Sequence, residues 1–170
     1  MIKIVLLGPE STGKSTLANQ LAEYFDTQCV PEYARQYIDQ LDRPYQEFDL
    51  LNIAKEQLKL EDELASRANT FLFCDTNLIT IKIWSDYKYG RTDRWILESL
   101  KMRKYDFYLL MDIDLPWESD PQREHPNKRQ ELFDLYKAHL DSNQLGYSVL
   151  AGQENLRRQK AIRTIENLPV

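Results

Sequence analysis

The chain has 170 residues, a length typical of a single domain that can bury a proper core. Its net charge of −5 at pH 7 argues against a nucleic-acid-binding surface built on positive charge. No apolar run approaches membrane-spanning length, and the N-terminus enters a strand-like segment directly, without room for a signal peptide. We therefore expect one cytoplasmic domain over residues 1–170, with neither nucleic acid nor a membrane as its partner.

Strand-like and helix-like segments alternate along the chain. Short aliphatic and aromatic runs predict five strands, at residues 2–7, 27–30, 70–74, 107–111 and 147–150. Apolar residues at helical spacing predict helices after residue 16 and at residues 32–39, 46–68, 76–89, 93–104, 128–141 and 154–167. This alternation indicates an α/β fold whose parallel sheet is covered by helices on both faces. Asp93 is a predicted helix N-cap, and Cys29 and Cys74 are expected to be buried free thiols.

Residues 8–16 match the phosphate-binding pattern G-x-x-x-x-G-K-[ST] without a mismatch, between a predicted strand and a predicted helix. Gly8 and Gly13 allow the backbone to wrap around a polyphosphate, so that successive N–H groups point at it. Lys14 is expected to reach the β- and γ-phosphates, and the Ser15 hydroxyl to bind Mg²⁺. The loop is the predicted site of a nucleoside triphosphate, with these binding residues: Gly8, Glu10, Ser11, Thr12, Gly13, Lys14, Ser15 and Thr16.

Two carboxylates follow predicted strands at the edge of the sheet where ligands bind. Asp75 ends the third strand, where it can hold Mg²⁺ or accept the proton of an attacking hydroxyl group; the alternative is a cap for the helix that begins at Thr76. Glu32 follows the second strand, near the expected acceptor pocket, and suits a general base or a hydrogen bond to a sugar hydroxyl. A solvated side chain in the first helical turn is its alternative. Arg35, one turn later, can clamp a substrate or pair with Glu32.

The polar segment 113–127 matches no helical or strand period and has the composition of a lid. Because phosphoryl transfer needs cations around the migrating charge and the exclusion of water, a lid arginine is expected to act there. Arg123 is the first candidate and Arg129 the second. The alternative for Arg123 is a solvent-exposed ion pair with Asp120 or Glu124.

Polar residues also follow the fourth and fifth predicted strands. Asp112 and Asp114 end the fourth strand, and one of them either supports the metal indirectly or caps the loop. Gly152, with Gln153, follows the fifth strand at a position where sheets of this kind tend to hold a nucleotide base. Gly152 is therefore included among the predicted nucleotide-binding residues.

The phosphate loop alone leaves kinases, GTPases and ATPases open. The Asn-Lys-x-Asp motif that reads the base in switch GTPases is absent from the sequence, and a mechanical ATPase would usually need a larger chain or oligomer contacts. A small domain with a lid and two carboxylates beside the loop fits a small-molecule kinase best. A non-catalytic ATP- or GTP-binding regulator stays as the alternative, and the sequence leaves open whether the chain forms a homo-oligomer.

Several motifs together resemble the NadR-type ribosylnicotinamide kinase domain, and the likeness covers nearly the whole chain. They are Gly8–Thr16, Pro31–Arg35, Phe73–Asn77 with Ile79 and Thr80, and Asp112–Trp117 with Asp120 and Arg123. The resemblance implies a three-layer α/β/α P-loop kinase fold with a five-stranded parallel sheet in the order 2-3-1-4-5 and a lid. It also implies MgATP-dependent phosphorylation of the 5′-hydroxyl of nicotinamide riboside, which gives nicotinamide mononucleotide. A kinase for another nucleoside or small alcohol shares every feature except the acceptor pocket.

The resemblance also assigns roles to the acceptor side. The segment around Glu32 and Arg35 and the segment from Asp75 to Asn77 would hold and activate the nucleoside, and Arg123 would belong to the lid. Some members of the family have an aromatic residue where this chain has Pro31, and that residue can help to stack the nicotinamide ring. The candidates for a replacement stacking surface are Tyr33, Trp84 and Tyr87.

Overall fold

The computed structural model describes residues 1–123 and 125–169. The strands are β1 (Ile2–Leu7), β2 (Gln28–Val30), β3 (Phe71–Asp75), β4 (Phe107–Met111) and β5 (Tyr147–Leu150). The helices are α1 (Lys14–Tyr24), α2 (Tyr33–Asp39), α3 (Glu47–Ala65), α4 (Leu78–Tyr89), α5 (Arg94–Met102), α6 (Arg129–Ser142) and α7 (Glu154–Glu166). Every predicted strand is confirmed within one residue at either end, and most helix ends lie within two residues of the prediction.

The five strands form one parallel sheet in the order β2-β3-β1-β4-β5, which confirms the predicted topology. The central strand β1 is an apolar run whose last four residues are completely buried, as a strand covered on both faces requires. Leu6 of β1 lies opposite Asp75 of β3. Because β1 leads directly into the phosphate loop, this register brings the carboxyl end of β3 beside that loop.

Helices cover both faces of the sheet and bury two apolar clusters. Side chains of α1 and α7, among them Leu21 and Ile165, pack on one face, and those of α4 and α6, such as Ile83 and Leu140, pack on the other. The two cysteines show the alternation of strand side chains, because Cys29 belongs to the first cluster and Cys74 to the second. Both are free thiols, as predicted, and Cys29 is only partly buried.

The start of α4 differs from the prediction. The helix begins at Leu78 rather than Thr76, and Asn77 is its N-cap, with a side-chain oxygen that accepts a hydrogen bond from the Ile79 N–H at 3.0 Å. Thr76 has a φ of 72°, which is not a helical conformation. Asp75 lies within β3 and does not cap the helix, so the capping alternative for this carboxylate is wrong.

The ends of two other helices can be compared with the sequence predictions. Asp93 caps α5 by accepting a hydrogen bond from the Trp95 N–H, as predicted. The predicted 46–68 helix ends early, at Ala65. None of the helices that the structure describes combines the length and the apolar character needed to cross a membrane.

Candidate active site

The shape of the phosphate loop between β1 and α1 depends on a glycine and on hydrogen bonds within the loop. A side chain at Gly8, whose φ is 143°, would bring a Cβ within 2.9 Å of the Met111 carbonyl oxygen, so only glycine fits there. The carbonyl of Pro9 accepts hydrogen bonds from the Thr12 hydroxyl at 2.9 Å and from Lys14 Nζ at 2.8 Å. The Lys14 ammonium group therefore already lies against the loop it is predicted to serve, and a polyphosphate would replace the carbonyl as its partner.

A cleft of about 390 Å³ opens in front of this loop. It extends from the phosphate loop to the region beyond β2 and β3, and the segment after β4 forms its roof. Besides the loop, its walls include Glu32, Arg35, Thr80, Trp84, Tyr136, Glu118, Gln122, Arg123 and Arg157. One continuous space thus joins the predicted nucleotide site to the predicted acceptor site.

Two carboxyl groups with raised pKa values lie near Lys14. Burial raises the pKa of Glu32 to about 7, with a further rise from the negative charge of Asp75, against the lowering effect of Lys14 and Arg35. Burial likewise raises the pKa of Asp75, although Lys14 and a hydrogen bond from the Ser15 hydroxyl oppose the rise. A carboxylate with a pKa near neutrality can take up a proton from a hydroxyl group as that hydroxyl attacks. Glu32, in the cleft wall, is therefore suited to proton transfer beside an anion-binding loop, and Asp75 lies near it.

Asp75 also has a free oxygen. Its side chain is 3% exposed, and its Oδ1 atom has no hydrogen-bond partner among the described residues. With the Ser15 hydroxyl bonded to the same carboxylate, the pair offers the oxygen donors that Mg²⁺ prefers. Residues 1–123 and 125–169 contain no group of three or more His, Cys, Asp or Glu side chains suited to hold a metal ion by themselves. The donor set fits an ion that takes its remaining ligands from phosphate and water.

The segment between β4 and α6 lies over the phosphate loop, as the lid prediction for residues 113–127 requires. Ser11 Oγ accepts a hydrogen bond from the Glu118 N–H at 2.8 Å, and an Arg123 nitrogen lies 3.4 Å from the same oxygen. Arg129 donates to the Ser11 carbonyl at 3.2 Å and to the Leu115 carbonyl at 2.9 Å. Both candidate arginines thus contact the loop region.

Arg123 differs from its predicted alternative. Its side chain is mostly buried, and it bonds to the Glu118 carbonyl and lies 4.0 Å from the Glu118 carboxylate. Its backbone N–H donates to the Asp120 carbonyl, but no side-chain ion pair to Asp120 appears among the described contacts. Glu124, the other partner considered, lies outside the described residues. Arg123 lies in the cleft wall, and its role as a lid cation stays a prediction.

The lid is also tied to the acceptor side of the cleft. Arg35 of α2 forms an ion pair with Asp120 at 2.8 Å, rather than the predicted pair with Glu32. Gln122 donates a hydrogen bond to the Arg35 carbonyl at 3.1 Å and a second one to Asp39. These contacts tie the predicted lid segment to α2, the helix that follows Glu32.

Some predicted binding residues lie apart from the cleft walls. Asn77 is buried as a helix cap, Tyr33 packs against a neighbouring tyrosine, and Tyr87 makes an edge contact with the His125 ring at 5.4 Å. Both backbone polar groups of Gly152 are hydrogen-bonded. Its N–H donates to Asp114, and its carbonyl accepts from a buried arginine. Trp84 lies in the cleft wall. The ligand-binding roles of all these residues stay predictions.

The structure adds three residues that sequence reasoning gave no role. Thr80 and Tyr136 line the acceptor end of the cleft and are almost fully buried. Arg157 of α7 also borders the cleft and pairs with Asp114. The metal-supporting role predicted for Asp112 or Asp114 stays a prediction. Only Thr80 lay in a quoted motif; Tyr136 and Arg157 occupy ordinary helical positions that no local pattern distinguishes.

The chain is similar to known proteins in both sequence and structure. A family model described as an AAA domain matches residues 3–157. Among curated proteins, the trifunctional NAD biosynthesis/regulator protein NadR of Escherichia coli (strain K12) is 28% identical over 152 residues, which are 85% of this chain. The same alignment covers only 37% of that protein, so this chain spans well under half of the relative's length.

Solved structures show the same fold. A NadR protein in complex with NR superimposes with a TM-score of 0.78 and 20% identity, over 97% of this chain and 48% of that one. A thymidylate kinase from Ehrlichia chaffeensis superimposes with a TM-score of 0.70 and 14% identity, over 96% of this chain and 98% of that one. These similarities confirm the predicted α/β/α P-loop kinase fold and the resemblance to NadR that the motifs indicated.

Proposed function

The chain belongs to the family described as an AAA domain, and from its phosphate loop and the adjoining cleft we propose that it is an ATP-dependent small-molecule kinase. Its acceptor is nicotinamide riboside, which it phosphorylates on the 5′-hydroxyl group to give nicotinamide mononucleotide. Two unpaired cysteines and the need for ATP agree with a cytoplasmic location.

One observation carries the assignment to a phosphotransferase. A single cleft joins the phosphate loop to Glu32, and Asp75 lies beside both, with Lys14 close enough to influence both carboxyl groups. A protein that only binds a nucleotide and its metal needs the loop with Ser15 and Asp75, but not a further carboxyl group of raised pKa such as Glu32 in the same cleft. An enzyme that activates a hydroxyl group beside a γ-phosphate needs both.

The choice of acceptor rests on similarity. The Escherichia coli relative is named as a protein of NAD biosynthesis, and a solved NadR structure is described as a complex with NR. The motifs around Glu32, Asp75 and Arg123 resemble the ribosylnicotinamide kinase domain of that family. In the acceptor end of the cleft, Trp84 offers an aromatic surface for a flat, cationic ring.

In the proposed reaction the γ-phosphoryl group passes in line from ATP to the 5′-oxygen of the acceptor. Lys14 and Arg123 neutralise charge on the phosphates, and the closed lid keeps water out. Ser15 and Asp75 would hold Mg²⁺, which supplies further positive charge at the β- and γ-phosphates. Glu32 or Asp75 holds the attacking hydroxyl group and receives its proton.

The test is product formation from MgATP with a panel of acceptors that includes nicotinamide riboside, with ADP release measured and product masses confirmed. Lys14→Ala should reduce turnover by about two orders of magnitude or more and leave the fold intact. Lys59→Ala, on the exposed face of α3, is the matched control and should keep full activity. Near-normal turnover in the Lys14 variant would remove the assignment.

The panel also separates the alternatives. Activity on a different nucleoside or small alcohol would keep the mechanism and replace the substrate. Tight binding of ATP or GTP without turnover of any acceptor would instead favour a non-catalytic regulator. A single product with the mass of nicotinamide mononucleotide is the expected result.

A further inference from the structure

Arg157, one turn into α7, is the largest fully buried side chain and is 2% exposed. Its guanidinium group donates to three backbone carbonyls: Thr12 at 2.6 Å, Gly152 at 2.7 Å and Asp112 at 2.9 Å. It also pairs with the Asp114 carboxylate. One side chain therefore joins the phosphate loop to the segments that follow β4 and β5.

This arrangement is built for a fixed guanidinium group. A buried positive charge is unfavourable unless hydrogen bonds and an opposite charge surround it, and here both are present. The partner carboxylate is fixed in turn by the Gly152 N–H, and although burial raises the pKa of Asp114, that bond and Arg157 lower it below its ordinary value. The planar fork of arginine presents five N–H donors on three nitrogens, whereas the three donors of a lysine ammonium group share one nitrogen and cannot span the same spread of acceptors.

The bond to Thr12 has a direct consequence for the phosphate loop. In a trans peptide unit the carbonyl and the following N–H point in opposite directions. Arg157 holds the Thr12 carbonyl, so the N–H of Gly13 points in the opposite direction within the same peptide plane. Gly13 is the left-handed N-cap of α1, where unpaired N–H groups face a bound anion.

We propose that Arg157 is a positioning residue for the nucleotide. By holding the Thr12 carbonyl, it aims the Gly13 N–H at the phosphates. It also fixes the position of the phosphate loop relative to the loop after β5. Arg157 acts through the backbone and does not itself need to touch the nucleotide. The inference rests on nucleotide binding at the phosphate loop, as in the proposed function, but not on the identity of any acceptor.

The test measures ADP binding to the full chain by calorimetry, without any acceptor. Arg157→Lys keeps the charge but loses the fork, and should weaken ADP binding by about tenfold or more while the protein remains folded. Arg158→Lys is the matched control, because the neighbouring arginine packs against the Tyr24 ring instead and should leave ADP affinity unchanged. Addition of free guanidinium ion at millimolar concentration should partly restore ADP binding to Arg157→Ala.

A spectroscopic measurement distinguishes positioning from general support of the fold. In ¹⁵N–¹H spectra, ADP should shift the Gly13 amide proton of the wild-type protein downfield, and this shift should be much smaller in Arg157→Lys. Unchanged ADP affinity with an unchanged Gly13 shift in the folded variant would overturn the inference.

Should Arg157→Lys fail to fold, Asp114→Asn loosens the same cluster more gently. It should lower ADP affinity in the same direction, and unchanged affinity would equally overturn the inference. Because ADP binding needs no acceptor, wild-type protein that binds ADP but phosphorylates nothing would refute the proposed kinase function and leave the role of Arg157 testable.

Discussion

Glu32→Gln tests whether one of the two carboxyl groups proposed to receive the proton also lowers the stability of the folded protein. The pKa of Glu32 lies at about 7, against an ordinary value of 4.5, chiefly because the group is buried, and also because Asp75 lies nearby. The ionised form that a general base needs is thus disfavoured in the folded state. Glutamine keeps the shape and removes the charge.

The sign and size of the effect follow from linkage. The folded protein binds the Glu32 proton more tightly than the unfolded chain does, so the resulting stabilisation is complete below about pH 4.5 and is lost as the pH rises through about 7. Each tenfold difference in proton affinity corresponds to about 1.4 kcal/mol, which gives at most about 3 kcal/mol in the free energy of unfolding. Part of the Glu32 side chain is still exposed to solvent, which screens its charge. We therefore expect Glu32→Gln to change the free energy of unfolding by about 1 to 3 kcal/mol.

Urea unfolding of both proteins at pH 4.5 and at pH 8, without ligands, measures this difference. Glu32→Gln should gain stability over the wild type as the pH rises, and Glu118→Gln, whose carboxylate borders the same cleft with 81% of its side chain exposed, should not. A stability difference that is the same at both pH values would refute the burial of an ionisable Glu32.

The same variant reports on chemistry. If Glu32 receives the proton, kcat of the glutamine variant should fall by about 100-fold or more. The wild-type profile of kcat/KM should rise with an apparent pKa near 7, and the variant should lose that limb. A variant with full activity and an unchanged profile would transfer the role of base to Asp75.

Three further substitutions probe other parts of the molecule. Asp75→Asn should lower kcat by at least about 100-fold. Recovery of kcat at high Mg²⁺ would indicate that Asp75 places the metal, and no recovery would indicate that it accepts the proton. An unchanged kcat would exclude both roles. Trp84→Ala should raise the acceptor Kd by roughly tenfold to a hundredfold without changing the ATP Kd, since stacking on a flat ring contributes about 1–3 kcal/mol; equal losses for both ligands would contradict a stacking role. Glu61→Gln, which removes the buried partner of Lys3 and Tyr105 at 2.7 Å each, should destabilise the fold by about 3 kcal/mol in thermal or urea unfolding and leave kcat unchanged. A loss smaller than about 1 kcal/mol would show that this buried charge cluster adds little.

The strands were predictable because their signals are local, whereas the strand order was implied by the resemblance to the NadR-type kinase domain. β1 reads as a buried strand from its own apolar run, and Gly8 and Lys14 mark the phosphate loop at fixed spacing. The start of α4 was hard to predict, because Asp75 and Asn77 are both good caps by residue type. Only the register of β3 against β1, which keeps Asp75 in the sheet, decides between them.

The contacts of the candidate site were less predictable. A lid was predicted from the composition of residues 113–127, and Arg123 and Arg129 both contact the phosphate-loop region. The partner of Arg35 was not, because helical spacing favours Glu32 whereas the folded lid brings Asp120 to within 2.8 Å. Spacing along a helix reports neighbours on that helix and carries no information about a loop that packs against it.

The sequence by itself determined that this protein has a phosphate-binding loop on an α/β sheet and carboxylates at the sheet edge beside it, because each of these follows from residues close together in the chain. The tertiary structure alone decided the pKa of Glu32, the tie between lid and α2, and the bond from Arg157 to Thr12, 145 residues away. These depend on burial and on contacts between distant segments, which exist only once the sheet and its helices have packed.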